Sequence, residues 1–200
     1  RVRNKARAVV IGGGVSGCSV AYHLAKMGWT DVVLLERKQL TSGTTWHAAG
    51  LVGLLRASES GTRLVQHSAD LYQRLEAETG LSTGYRQCGG LIVARTPERM
   101  TALRRTAATA AAYDLDCELL TPAQAGERYP LLHTDDLQGA IWLPGDGTAN
   151  PTDVTQSLAK GARQLGVTVR ERVRVTGFDV VADPSAPGGR RVRGVRTDAG

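Results

Sequence analysis

Short apolar runs that end on glycine, followed by stretches in which apolar residues recur every three to four positions, set the pattern of the chain from its start. Ala6-Arg-Ala-Val-Val-Ile11 predicts a strand that stops at Gly12-Gly-Gly14, and Val15 to Lys26 predicts a helix closed by Gly28. Asp31-Val-Val-Leu-Leu-Glu36 is continuously apolar between its two acids, the pattern of a parallel strand covered on both faces. Together these predict one βαβ unit. Residues 38–56 are polar and rich in Gly and Thr, with little periodicity, and read as a loop. Helical spacing returns from Arg63 to Thr79, with Leu64, Ala69, Leu71, Tyr72 and Leu75 as expected core contacts.

After a break at 82–84 the pattern predicts a strand from Gly90 to Ala94 and an Ala-rich helix from Pro97 to Tyr113. The capping box Thr121-Pro-Ala-Gln124 opens a short helix that runs to Arg128. Asp136 to Leu143 is expected as strand and Pro144-Gly-Asp-Gly147 as turn; Asn150-Pro-Thr-Asp153 caps a helix over 151–165, ended by Gly166. Strands then follow over 167–175, 177–182 and 190–197, the last two joined by a Pro/Gly loop at 184–189. The longest apolar runs, such as Ala8 to Ile11 and Val32 to Leu35, fall far short of the ~20 residues that cross a bilayer. The first of them runs into glycines rather than a cleavage site, so a cytoplasmic protein with no membrane partner is expected.

Composition adds little to this picture: 200 residues, 42 % apolar and 22 % charged, make one soluble domain or slightly more. The net charge of +6 raises the question of an anionic partner. In the densest basic cluster, Val167, Val169, Val173 and Val175 fall on one strand face and Arg170, Arg172 and Arg174 on the other, which reads as a solvated face. No aromatic residue interleaves with it, so no nucleic-acid partner is expected. Cys18, Cys88 and Cys117 are too far apart for a CxxC metal site or a disulfide framework, and Cys18 and Cys88 read as small buried hydrophobes. No metal is expected. The chain begins without Met and stops at Gly200 inside an expected strand and turn, so it is expected to be part of a longer protein.

Chemistry enters at Gly12-Gly-Gly14-Val-Ser-Gly17, a G-x-G-x-x-G between strand and helix. Gly12 allows the tight turn, Gly14 lets backbone approach a pyrophosphate, and Gly17 permits close helix–strand packing; Ser16 lies in the first helical turn, where the N-terminus faces the phosphates. Glu36 closes the second strand nineteen positions beyond Gly17, where a carboxylate accepts hydrogen bonds from ribose hydroxyls. That carboxylate disfavours a 2′-phosphate, although neighbouring Arg37 weakens the inference; the fingerprint does not separate FAD from NAD.

The loop Leu40-Thr-Ser-Gly-Thr-Thr-Trp-His-Ala-Ala-Gly-Leu51 resembles the flavin-contacting loop of the sarcosine and dimethylglycine dehydrogenase group within the D-amino-acid-oxidase-like flavoproteins. Leu71-Tyr-Gln-Arg-Leu-Glu-Ala-Glu-Thr-Gly80, Gly89-Gly-Leu-Ile-Val-Ala94, Leu143-Pro-Gly-Asp-Gly-Thr148 and Asn150-Pro-Thr-Asp153 resemble family segments in the same order, so the likeness covers essentially the whole chain. The resemblance implies an α/β fold: a Rossmann-like FAD-binding domain from residues 1–56 and 149–200, and the first part of an inserted, incomplete antiparallel-sheet substrate domain from 57–148. It implies FAD carried through a covalent bond from His47 to the flavin 8α-methyl carbon; read without it, a lone His beside Trp46 is a structural or hydrogen-bonding residue. Ser42, Gly43, Thr44 and Thr45 are expected to offer hydroxyls and N–H groups to the pyrophosphate or ribityl chain, and Ala48, Ala49, Gly50 and Leu51 to let backbone lie against the flavin ring. Val175 corresponds to a position whose backbone contacts adenine, though on spacing alone it is a core valine.

The implied activity is oxidation of an N-methylated glycine derivative, a hydride passing from the N-methyl carbon to flavin N5 and leaving an iminium. An electron-transfer flavoprotein is the implied acceptor, and tetrahydrofolate enters only through a C-terminal domain that this sequence does not contain. The catalytic acid and base are expected beyond Gly200; within the chain, Arg56 is a candidate for the substrate carboxylate, against the alternative of a solvent-facing arginine. His23, His67 and His133 match no catalytic motif. Two other readings stay open: a noncatalytic regulatory protein on the same scaffold, like the pyruvate dehydrogenase phosphatase regulatory subunit, and an oxygen-using FAD amine oxidase.

Overall fold

A computed structural model describes residues 5–199. In chain order the first elements are β1 (Ala8–Ile11), α1 (Val15–Lys26), β2 (Val32–Leu35), a 3-10 turn at Thr45–His47, β3 (Leu51–Val52) and α2 (Glu59–Thr79). They are followed by β4 (Arg86–Gln87), β5 (Gly90–Ala94), α3 (Pro97–Ala112), β6 (Glu118–Leu120), α4 (Pro122–Arg128), β7 (Gly139–Leu143) and β8 (Gly147–Thr148). The last are α5 (Pro151–Gln164), β9 (Thr168–Arg170), β10 (Val175–Ala182) and β11 (Arg190–Thr197).

Two compact units emerge. Unit 1 takes the described residues through Ala49, Arg74–Thr83 and the chain from Asn150; unit 2 takes Gly50–Gln73 and Gly84–Ala149. The division departs from the sequence boundaries in three places, the smallest being Ala149, which falls in unit 2. Residues 50–56 group with unit 2, because β3 pairs with β8. The end of α2 groups with unit 1, where Tyr22 donates to Glu78 at 2.5 Å and Thr79 shares a 2.8 Å hydroxyl contact with Ser157.

Unit 1 is built on a parallel sheet in the order β1-β2-β9, with Ala8 opposite Val32 and Leu35 opposite Arg170. Helices α1 and α5 pack together through small residues: a Cβ on Gly161 would press within 2.9 Å of the Tyr22 ring. Cys18, Ala21, Tyr22, Val154, Leu158, Ala159 and Ala162 fill this core. β2 is buried as its apolar run predicts, whereas Val9 and Ile11 of β1 are 38 % and 48 % exposed. β10 and β11 form an antiparallel hairpin.

In unit 2 the sheets are antiparallel, β3-β8-β4 and β5-β7-β6. α3 covers β5 and β7 with Met100, Leu103 and Ala110 against Ala94, Ile141 and Leu143. The expected capping box forms at Thr121 and Gln124, and Asn150 caps α5 by accepting from the Thr152 and Asp153 amides.

Several boundaries and burials differ from the sequence reading. The single strand expected over 167–175 is broken: β9 ends at Arg170, and Arg172 turns with φ 60 so that its amide donates to the Lys38 carbonyl. α2 starts at Glu59 rather than Arg63, and Leu64, an expected core contact, is 66 % exposed because it falls off the buried stripe of Thr62, Ala69, Leu71 and Leu75. β7 starts at Gly139, not Asp136, and the expected loop over 38–56 contains a 3-10 turn and β3. Cys88 is exposed, unlike the buried Cys18. No described helix is long and apolar enough to cross a membrane.

The Glu78 contact makes stability depend on pH with a definite sign. Hydrogen bonds from Tyr22 and Lys26 hold the Glu78 carboxyl below the usual carboxylate range. Its contribution is therefore complete above the unfolded value near ~4.3 and is lost as pH falls through the lower folded value. Because the pair is solvent-screened, Glu78→Gln is expected to cost less than about 1 kcal/mol at pH 7. In urea titrations the gap between the two proteins should close on acidification below about pH 4.

Candidate dinucleotide site

The site in unit 1 starts from a steric fact. Gly12 takes φ +107 as β1 ends, its amide donates to the Leu35 carbonyl at 2.8 Å, and α1 begins three residues later. A Cβ on Gly17 would collide with the Gly12 carbonyl oxygen, and one on Gly14 would sit 3.0 Å from Thr45 Oγ1. Hydrogen at these positions lets the helix start directly on the strand end and leaves bare backbone around the turn. Gly14, at the capping position of α1, has no side chain to contribute, so the positive end of the helix dipole is covered by backbone amides, the arrangement that attracts phosphate. Ser16 is exposed in the first turn.

Glu36 holds this turn from the other side. One carboxylate oxygen accepts the Gly13 amide at 2.7 Å and the other accepts the Lys38 amide at 2.7 Å. The half-buried carboxylate is thus fixed at the end of β2, with lone pairs remaining on both oxygens for hydroxyl donors. Arg37 beside it is exposed.

Gly13 is a site residue that the x of the fingerprint conceals. A Cβ there would press on Leu40 Cδ2 and Glu36 Cβ, and its carbonyl accepts the Thr41 amide at 3.0 Å. Leu40 is buried, and its amide donates to Glu171 at 2.6 Å; no local sequence signal announces this bond. Cys18 lies beneath the turn with its thiol toward the Gly13 carbonyl, and burial pushes its pKa up to about 12, so it is a packing residue.

Within the loop, Ser42, Gly43 and Thr44 are exposed. Thr45 is buried, and its hydroxyl accepts the Val15 amide at 3.1 Å, so it caps α1 with its oxygen and keeps its proton to donate. The 3-10 turn places His47 exposed, its ring 3.8 Å from the Trp46 centroid at a tilt of 34°. Ala48 follows in extended conformation, and both it and Ala49 are exposed. Gly50, with φ +78, and Leu51 of β3 belong to unit 2. Val175 opens β10 rather than ending a strand, and it is half-buried.

Unit 2 holds the remaining candidate, Arg56. It is exposed; its amide donates to the buried Thr62 hydroxyl at 3.1 Å and its guanidinium to the Leu55 carbonyl at 3.0 Å. Nearby Asp146, in the Pro144–Gly147 turn, accepts the Leu54 amide at 2.8 Å; burial raises its pKa against the opposing pull of that amide and of Arg56. Among the described residues no three His, Cys, Asp or Glu side chains are grouped to hold a metal ion.

A bare glycine turn, a helix N-terminus and a fixed carboxylate at the end of the second strand fit the pyrophosphate and ribose of a dinucleotide such as FAD. Comparisons with known proteins agree. Human mitochondrial sarcosine dehydrogenase is 45 % identical over 98 % of this chain and 21 % of its own length. Rat mitochondrial dimethylglycine dehydrogenase is 40 % identical over 87 % of the chain and 20 % of its own. The chain therefore spans about a fifth of the length of these curated relatives. Among solved structures, L-proline dehydrogenase from P. horikoshii superposes with a TM-score of 0.89 at 29 % identity, covering 100 % of this chain and 50 % of that one. The family model for FAD dependent oxidoreductases (DAO) matches residues 7–200, and with the glycine turn, Glu36 and α1 arranged as such a cofactor requires, the chain belongs to that family.

Proposed function

We propose that the protein oxidises the N-methyl group of a glycine derivative, sarcosine or dimethylglycine, with FAD held by unit 1 and attached covalently through His47. The observation that carries the reading is the exposed His47 on a 3-10 turn in the same unit as the Gly12–Gly17 turn, and relatives named as sarcosine and dimethylglycine dehydrogenases support the choice of substrate. When bound, FAD supplies the two-electron acceptor that the side chains of this chain lack.

The protein's own groups bind and orient. The amides of Gly14, Ser16 and Gly17, with the Ser16 hydroxyl, hold the pyrophosphate where Gly12 shapes the turn, and Glu36 accepts from ribose hydroxyls with Arg37 at its rim. Ser42, Gly43, Thr44 and the Thr45 proton serve the ribityl and phosphate oxygens, and the Val175 backbone serves the adenine. Small Ala48, Ala49 and Gly50, with Leu51, leave room for the flavin ring. A neutral imidazole at His47 has the lone pair that a bond to the 8α carbon needs. Unit 2 forms part of the substrate domain, in which Arg56, with guanidinium N–H groups exposed, meets the substrate carboxylate. An electron-transfer flavoprotein takes the electrons onward.

Acid precipitation of the flavin-bound protein tests the His47 assignment. The yellow colour should stay with the pellet in the parent protein and move to the supernatant in His47→Ala; a colourless parent pellet contradicts covalent attachment while leaving flavin binding intact. Gly17→Ala tests the turn. The added Cβ must displace α1 from the Gly12 carbonyl, which is expected to cost about 1–3 kcal/mol in thermal or urea unfolding. The same variant should lose most of its bound FAD at equal protein concentration.

A further inference from the structure

The Pro144–Gly147 turn holds a carboxylate that no step of the proposed chemistry uses. Asp146 is half-buried, and it joins three segments of unit 2. Its amide donates to the Leu143 carbonyl at 3.1 Å, its carbonyl accepts the Gly89 amide at 2.8 Å, and its Oδ1 accepts the Leu54 amide at 2.8 Å across 92 residues of sequence. Two glycines make room for the other oxygen. A Cβ on Gly90 would come within 2.5 Å of Asp146 Oδ2; one on Gly53 would lie 3.6 Å from that oxygen and 3.5 Å from Arg56 Nη1. Carboxylate and guanidinium therefore flank Gly53. Arg56 is tied on its far side by Thr62, so segment 53–56 is fixed at Leu54 by Asp146 and at Arg56 by α2.

We propose that Asp146 is a positioning residue: its hydrogen bond to the Leu54 amide fixes segment 53–56 and so aims the Arg56 guanidinium at the substrate carboxylate, an assignment that rests on the proposed role of Arg56. A half-buried carboxylate exerts more hold on an amide than a solvated one, because water competes less for the same oxygen. An arginine with several unconstrained stem torsions gains affinity for a carboxylate when the backbone beneath it is immobile. The conservative substitution Asp146→Asn distinguishes acceptor from charge, since the side-chain amide keeps an oxygen for Leu54 and loses the negative charge facing Arg56.

The test compares Asp146→Ala, Asp146→Asn, Gly90→Ala and Arg56→Ala in the full-length, flavin-bound protein, using sarcosine and dimethylglycine as substrates. Asp146→Ala is expected to raise KM by about tenfold with kcat changed less than about twofold, and Asp146→Asn to restore most of the loss. Gly90→Ala, which pushes the carboxylate aside without removing it, should move KM in the same direction and stands in if Asp146→Ala does not fold. Amide exchange at Leu54 should quicken in Asp146→Ala and Gly90→Ala and stay slow in Asp146→Asn. A fall in kcat at unchanged KM, or Leu54 exchange unaltered by Asp146→Ala, overturns the positioning role. Arg56→Ala separates the two claims. If it leaves KM unchanged, the carboxylate role of Arg56 fails; if it raises KM while Asp146→Ala does not, the positioning role alone fails. Combining the two Ala substitutions should give less than the sum of their effects.

Discussion

Unit 1 depends on one close approach, that of Gly17 to the carbonyl of Gly12. Any side chain at Gly17 would occupy the volume of that oxygen, so the absence of a Cβ decides how near α1 starts to the end of β1. Everything that makes the turn useful follows from this proximity. The first amides of α1 crowd together at the strand end, the capping position can be a glycine, and an anion placed there meets backbone rather than side chains. Position 17 is therefore constrained by backbone geometry more than by chemistry.

A bare turn of this kind is mechanically weak, and its neighbours stiffen it from three directions. Glu36 accepts the Gly13 amide, Thr45 accepts the Val15 amide, and Leu40 lies under Gly13 while its own amide is held by Glu171. The same Glu36–Lys38 segment is stitched to the chain beyond β9 through the Arg172 and Val173 amides. A binding surface made of backbone is thereby rigid before ligand arrives, which lowers the ordering cost of binding. Unit 2 repeats the device on a smaller scale: Asp146, sheltered by Gly53 and Gly90, fixes a loop through one amide.

How much of this is legible in sequence depends on the range of the interaction. The βαβ unit, the tight turn at Gly12, the close packing at Gly17, the capping box at Thr121 and the cap at Asn150 all express requirements between residues close in the chain, and each is read correctly from spacing. The bonds that stiffen the site span 23, 30 and 131 residues, and spacing carries no trace of them. Thr45 shows the limit well. Its residue type points to a hydroxyl offered to a ligand, and the fold uses its oxygen to cap a helix. The strand expected over 167–175 fails for the same reason: its Val and Arg alternation is real, yet a tertiary bond from Arg172 to Lys38 turns the chain where local propensity would continue it.

The central claim, that the glycine turn at the head of α1 receives the pyrophosphate of FAD, is tested most directly by amide hydrogen exchange on the same protein with and without FAD. Bound FAD is expected to slow exchange at Gly14, Ser16 and Gly17, while the Gly13 and Val15 amides are held by Glu36 and Thr45 in both states. Slowing confined to other segments, with Gly14, Ser16 and Gly17 exchanging at the flavin-free rate, would contradict that claim.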